Sequence, residues 1–138
     1  RLGTFVDIAD PGTELGWDLK VRRTQLGTNG GSSGPGLGGA LDPMATALTE
    51  IVDADEMSSQ LDTLLPLPGF PSPGDFSGNP VLADWYDYDF MTHVVSPKDK
   101  SYVVFTAEGD AARIKLKSYD DGVYELDWGY AGAGQTTF

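Results

Sequence analysis

Ser101-Tyr102-Val103-Val104-Phe105-Thr106 is followed by Glu108-Gly109-Asp110, then by Ala112-Arg113-Ile114-Lys115-Leu116-Lys117-Ser118. Asp120-Asp121-Gly122 then leads into Val123-Tyr124-Glu125-Leu126-Asp127-Trp128-Gly129-Tyr130. Apolar and polar residues alternate strictly along 112–118, which is the period of a strand with one buried face. The two acid-glycine turns are too short to hold a helix and suit hairpins. Tyr124, Leu126, Trp128 and Tyr130 fall on one face of the last strand. Three consecutive antiparallel strands make a meander, and successive hairpins without crossover helices point to an all-β antiparallel meander or sandwich-like domain rather than an α/β enzyme.

Upstream the pattern is shorter-ranged. Asp84-Trp85-Tyr86-Asp87-Tyr88 enters a strand, and Val94-Val95 precedes a Pro97-Lys98-Asp99-Lys100 turn. Leu15, Trp17, Leu19 and Val21 alternate with Gly16, Asp18, Lys20 and Arg22, predicting a strand buried on one side. Thr4 to Ala9 predicts a short strand closed by Asp10-Pro11-Gly12, since Pro fixes φ and Gly supplies positive φ. The predicted core is Trp17, Leu19, Val21, Val104, Ile114, Leu116, Leu126 and Trp128. Asp42 to Ile51 is the one helix candidate, with Asp42 as N-cap, Pro43 at N1 and Met44, Leu48 and Ile51 on one face. At most one or two short helices are expected. From Asp53 to Pro80 acids and prolines break every period, so 42–80 reads as an irregular excursion within a single domain over 1–138, with long projecting loops. By composition alone the glycine-rich run from Gly27 to Ala40 is a flexible linker or a fixed loop.

The chain has 138 residues and a net charge of −12. Between Arg23 and Lys98 there is no Lys or Arg, while ten acids fall from Asp42 to Asp89. This acidic protein therefore suits neither nucleic acid nor an anionic membrane surface, both of which need a basic face. With no cysteine it has no disulfide, thiolate metal site or thiol nucleophile. No apolar run reaches the ~20 residues of a transmembrane helix. The chain opens at Arg1, which leaves room upstream for a signal peptide or a lipid-anchored cysteine. A single His without a nucleophile elbow, and no phosphate-cradling loop, provide no catalytic constellation.

Gly16-Trp17-Asp18-Leu19 with Arg22-Arg23, Thr28-Asn29-Gly30-Gly31 running to Ser33-Gly34 and Gly38-Gly39-Ala40, and Asp84 to Tyr88 occur in the order seen in the HmuY family. Thr92-His93-Val94-Val95-Ser96-Pro97-Lys98, Tyr102 to Val104 with Thr106 to Gly109, and Ile114 to Tyr119 continue the resemblance, which covers roughly residues 15–135. The resemblance implies one HmuY-like all-β domain on an exported, often lipid-anchored protein at the outer membrane surface, in the periplasm or outside the cell. It implies haem (heme) binding between two axial side chains carried by projecting loops, and partners that are haem or a haem-carrying protein and an outer-membrane receptor. It also turns the Gly27–Ala40 run into an ordered loop whose glycines meet backbone requirements.

The candidate metal ligands follow from this. His93 is the only histidine and a natural axial ligand. Met57 and Met91 are the thioether candidates, while Met44 sits on the apolar face of the predicted helix and reads as core. Met91 and His93, two residues apart, share one side of a straight strand, so Met57 is the expected partner across the iron. A Met ligand would favour reduced iron and raise its potential. Trp85, Tyr86 and Tyr88 are candidates for stacking on the porphyrin, and Leu64, Leu67 and Phe70, with Leu61 and Leu65, for apolar walls. The acids Asp53, Asp55 and Glu56, or Asp84, Asp87 and Asp89, are weak Ca²⁺ candidates, since neither set matches a spaced cation loop. Arg113, Lys115 and Lys117 suit a solvated outer face paired with Glu125 and Asp127, or haem propionates.

The function expected is haem capture by binding, not catalysis. The alternative is a structural or interaction subunit that keeps the scaffold, has lost the ligands and packs on a protein partner in an assembly. A calcium-dependent glycan-binding module is the third reading.

Overall fold

The computed structural model describes residues 3–68 and 73–138. Phe70 lies outside them. Among the described residues the order is β1 (Leu19–Arg22), β2 (Gln25–Thr28), β3 (Gly39–Ala45), β4 (Thr63–Pro66), β5 (Asp75–Gly78), β6 (Tyr86–Tyr88), β7 (Val95–Pro97), β8 (Ser101–Phe105), β9 (Ala111–Asp120) and β10 (Val123–Tyr130). Three single 3-10 turns at Leu48–Glu50, Glu56–Ser58 and Leu82–Asp84 are the helical content. The fold is all-β and antiparallel.

The meander predicted from 101–130 forms the sheet, in the order β10-β9-β8-β3. A register shift between Glu125 and Leu126 puts Leu116 opposite Leu126 and Ser118 opposite Glu125. Lys117 is the extra residue of that bulge, and because of it Tyr119 joins the face of Leu116 and Ile114 instead of the opposite one. Both sheet faces are covered, so the central strand β8 is buried throughout. Tyr102, Val104, Ile114 and Leu116 meet Leu26, Ala40, Leu82 and Trp85 on one face. Val103, Phe105 and Ala111 meet Ala45, Ile51 and Ala54 on the other. Leu116→Ala removes a buried side chain from the first cluster and is expected to lower stability by about 2–5 kcal/mol, read as a shifted denaturation midpoint at unchanged slope.

Several local expectations are overturned. The helix over 42–51 is absent. Gly39 to Leu41 pairs with Phe105 to Val103, and the ladder resumes only at Ala45 opposite Ser101. Pro43, with no N–H to donate, falls in that gap, and Met44 takes φ +59°. Sheet pairing thus outweighs the local capping signal, and only Leu48–Glu50 keeps a helical turn. Met44 is 91% exposed rather than core. No strand forms over 4–9, where most residues are exposed. Of the predicted strand 15–22 only Leu19–Arg22 is extended. Trp17 is buried and donates its indole N–H to the Pro11 carbonyl (3.1 Å), but Leu15 and Val21 are exposed because β1 pairs with β2 alone. Trp128, 45% exposed, sits on the edge strand β10 instead of in the core. Leu19 and Leu126 are half-buried. Within the stretch read as irregular, Thr63–Pro66 and Asp75–Gly78 pair as a hairpin.

The glycine-rich run is a packed loop. A Cβ on Gly30 would lie 2.0 Å from the Gly38 carbonyl oxygen, and Gly31 takes φ +58° against the Asp62 backbone. The Asp62 carboxylate is buried beneath this loop. It accepts bonds from the Thr28 amide (2.9 Å), the Thr28 hydroxyl (2.7 Å), the Ser33 hydroxyl (2.5 Å) and the Asn79 amide (3.0 Å). Asn29 ties the other side, donating to the carbonyls of Glu14 and Trp17 and accepting from the Gly36 amide.

Candidate functional site

Strands β6 and β7 pair Tyr86 with Pro97 and Tyr88 with Val95, so residues 89–94 form the loop of a projecting hairpin. The loop is shaped by Asp89. Its carboxylate accepts from the amides of Met91 (2.8 Å) and Thr92 (3.3 Å), and its carbonyl accepts from the His93 amide (2.8 Å). The bonds from Met91 and then Thr92 hold the Asp89 carboxyl below the usual carboxylate range. His93 takes φ +60°, a left-handed conformation that histidine tolerates better than most residues. Its ring stands in solvent, with Nδ1 2.6 Å from the Tyr88 hydroxyl. With the proton on Nδ1, the imidazole donates to the phenol oxygen and leaves Nε2 open. That is how a second group usually orients an imidazole toward a metal. The Tyr88 ring also packs edge-on against Phe90, at 4.9 Å between centroids.

Behind the hairpin lies an aromatic nest. Trp85 is 4.9 Å from Tyr86, 5.5 Å from Tyr124 and 5.8 Å from Tyr119 between ring centroids. Trp85 is 1% exposed, so it is a core residue and not a stacking surface. Tyr124 has its hydroxyl buried without a partner among the described residues, and burial pushes its phenol well above the usual range. Tyr86 is different: it is half-buried and lines an apolar groove of about 220 Å³ with Gln25, Leu65, Pro66, Pro68 and Phe76. Leu64 points away and is exposed, Leu61 is also exposed, and Leu67 is half-buried.

The structure brings Tyr88 and His93 into contact, with Met91 on the same loop, and places Met57 on the exposed turn Glu56–Ser58. Along the chain Met57 lies between Ala54, which packs on one face of the sheet, and Gln60, which bridges Ala40 of β3. All three methionines are thrust outward, Met44 at 91%, Met57 at 96% and Met91 at 90% exposure. Each lies two residues after an aspartate whose carboxylate accepts its amide: Asp42, Asp55 and Asp89. The repeated Asp-x-Met spacing was the sequence signal for these exposed turns.

The other candidates resolve simply. Arg113 donates to the carbonyls of Leu48 (3.1 Å) and Ile51 (2.8 Å) and stacks on Phe138. Lys115 pairs with Asp99 (2.5 Å) and Lys117 with Asp127 (3.3 Å). Asp84 is bound by Lys98 and Lys100, chiefly Lys98, which lowers its carboxyl. Asp53 accepts from the Thr137 hydroxyl, and Asp55 caps the turn of Met57. Among the described residues no group of three or more His, Cys, Asp and Glu side chains gathers to hold a metal ion. Among the described residues no helix is long and apolar enough to cross a membrane.

Comparison with known proteins matches the family model described as HmuY protein over residues 1–130. The chain belongs to the HmuY family. No curated protein matches it. Among solved structures it is similar to the apo HmuY analogue of Tannerella forsythia, with 18% identity and a TM-score of 0.64, covering 91% of this chain and 69% of that one. A Bacteroides vulgatus protein described as an HmuY-like haem binder is 21% identical, with a TM-score of 0.60 over 81% of this chain and 69% of that one. A Bacteroides fragilis protein described as a lipoprotein is 22% identical, with a TM-score of 0.56 over 81% and 66%. At these identities the likeness establishes a shared HmuY fold.

Proposed function

We propose that this HmuY-family protein is exported to the cell surface and captures haem for delivery to a receptor, acting by binding rather than catalysis. The observation that carries the reading is His93 at the tip of the β6–β7 hairpin, with Nδ1 held by Tyr88 and Nε2 open. Its family membership and the Bacteroides and Tannerella neighbours support the same ligand class. When bound, haem would bring the redox and ligand-binding chemistry of its iron. The chain's part is to hold and orient it. His93 Nε2 is the ligand, Tyr88 fixes the ring, and Met91 is the substitute ligand on the same side. Met57, on the exposed Glu56–Ser58 turn, is the candidate for the second ligand.

Haemin and reduced haem titrated into the wild type are expected to give a sharpened, shifted Soret band. His93→Ala should weaken binding by about tenfold or more, and Tyr88→Phe by a smaller factor, as losses of a ligand and of its orienting partner do. Met57→Ala should likewise change the spectrum and weaken binding, as loss of the second ligand does. A wild type without a Soret shift in either redox state would replace haem capture by the interaction-subunit reading. Binding that survives in His93→Ala with its spectrum intact would move ligation away from this hairpin.

A further inference from the structure

In a chain with 21 acidic residues, cations without a carboxylate partner are conspicuous. Lys98, Lys100, Lys115 and Lys117 each form a salt bridge, and Arg113 is spent on two backbone carbonyls. Among the described residues Lys20, Arg22 and Arg23 form none, and all three sit on the β1–β2 hairpin. Lys20 and Arg22 line a recess of about 300 Å³ with Gln25, Asp75, Phe76 and Ser77. Gln25 and Phe76 also line the apolar groove of Leu65, Pro66, Pro68 and Tyr86. Gln25 and Phe76 therefore border a cationic recess and an apolar one at once. Asp75 enters the cationic recess from β5, yet it makes no salt bridge with either cation among the described contacts. The Lys20 ammonium lies 5.8 Å over the Trp17 ring and within the field of Asp62. Burial pulls its pKa down and the Asp62 charge pushes it back up.

We propose that these two recesses form one binding groove for an amphipathic carboxylate, with Lys20 and Arg22 holding the carboxylates and Phe76, Leu65 and Tyr86 covering the apolar body. Carboxylates suit this pair, since Arg22 presents a planar fork and Lys20 a point charge. For haem the carboxylates are the propionates, so the inference deepens the haem-capture reading and rests on it for the identity of the ligand. Tyr86 belongs to the groove and to the strand that leads to Tyr88 and His93, so the groove opens beside the ligating hairpin.

The test uses iron-free protoporphyrin IX, which reports on the groove without axial ligation. Its fluorescence is followed on titration with the wild type, Lys20→Gln, Arg22→Gln, the double variant and Lys117→Gln as a control. The double variant is expected to raise Kd about tenfold or more, the size of a lost charge-assisted contact. Lys117→Gln should match the wild type, and the porphyrin dimethyl ester should bind all variants equally weakly. Should Lys20→Gln fail to fold, Arg22→Glu serves, because that side chain is exposed. Equal Kd in the wild type and the charge variants, or no binding of protoporphyrin IX at all, overturns the groove, whatever haemin does. Protoporphyrin that binds through Lys20 and Arg22 while haemin gives no Soret shift supports the groove and ends the ligation reading. Oleate competing with the same dependence on the two cations supports the groove and assigns it to lipid carboxylates rather than tetrapyrroles.

Discussion

Asp62→Ala is expected to lower the unfolding free energy by about 3–5 kcal/mol, enough to unfold much of a marginally stable domain at 37 °C. The carboxylate is 2% exposed and accepts four hydrogen bonds: two from Thr28, one from Ser33 and one from Asn79. Alanine leaves the Thr28 amide and hydroxyl and the Ser33 hydroxyl without this acceptor, while the Asn79 amide keeps its bond to the Gln60 carbonyl (2.7 Å), and each unsatisfied donor costs about 1–3 kcal/mol before relaxation and water entry. The damage is not local. Thr28 ends β2, Ser33 lies in the glycine-rich loop, and Asn79 follows β5, so Asp62 fastens three segments that share no continuous sheet. Asp62→Asn should retain part of the stability, because its amide oxygen still accepts while its NH₂ group confronts donors. Urea denaturation ranks the three proteins, with wild type above Asn above Ala. An alanine variant within 1 kcal/mol of wild type would mean that water replaces the carboxylate and the loop does not depend on it.

The contrast between this network and the meander explains what could be read from sequence. Strands β8 to β10 announce themselves because each turn is local and Ile114, Leu116 and Leu126 repeat at the period of a one-sided strand. The fourth strand of the same sheet, β3, lies some sixty residues earlier, and nothing near Gly39 to Ala45 records its pairing with Ser101 to Phe105. Asp42-Pro43 imitates a helix start there, and the non-local ladder overrides it. Asp62 is equally mute, one acid between Leu61 and Thr63. The order of the glycine-rich loop came from the family resemblance, for its composition alone fits a linker. In the candidate site, His93 and the Tyr86-x-Tyr88 strand were legible because they are contiguous. Met57 stands beside His93 by elimination among ligand types alone, and ligand type carries no information about where two loops lie in the fold. The groove was invisible for the same reason, since Lys20 and Arg22 meet Phe76 only after two separate hairpins have folded.

Trp85→Ala is expected to destabilise the protein by about 3–5 kcal/mol, and Trp85→Phe by about 1–2 kcal/mol. The indole is fully buried and packs against Tyr86, Tyr119 and Tyr124, so alanine opens a cavity where hairpin and sheet meet. Phenylalanine refills most of that space. What it cannot replace is the indole N–H, which donates to the Thr24 carbonyl at 2.9 Å across 61 residues. Thr24 sits at the turn between β1 and β2 and lines the apolar groove beside Tyr86. This bond therefore fixes the hairpin that carries Lys20 and Arg22 relative to the strand that leads to His93. Trp85→Phe should consequently separate two properties: a modest loss of stability, with protoporphyrin binding weakened several-fold at temperatures where the variant is fully folded. Melting curves and fluorescence titrations on the same sample measure both. Binding unchanged in a folded Trp85→Phe protein would show that the β1–β2 hairpin is positioned by its other contacts, with the Asn79 amide bond to the Leu26 carbonyl the first to examine.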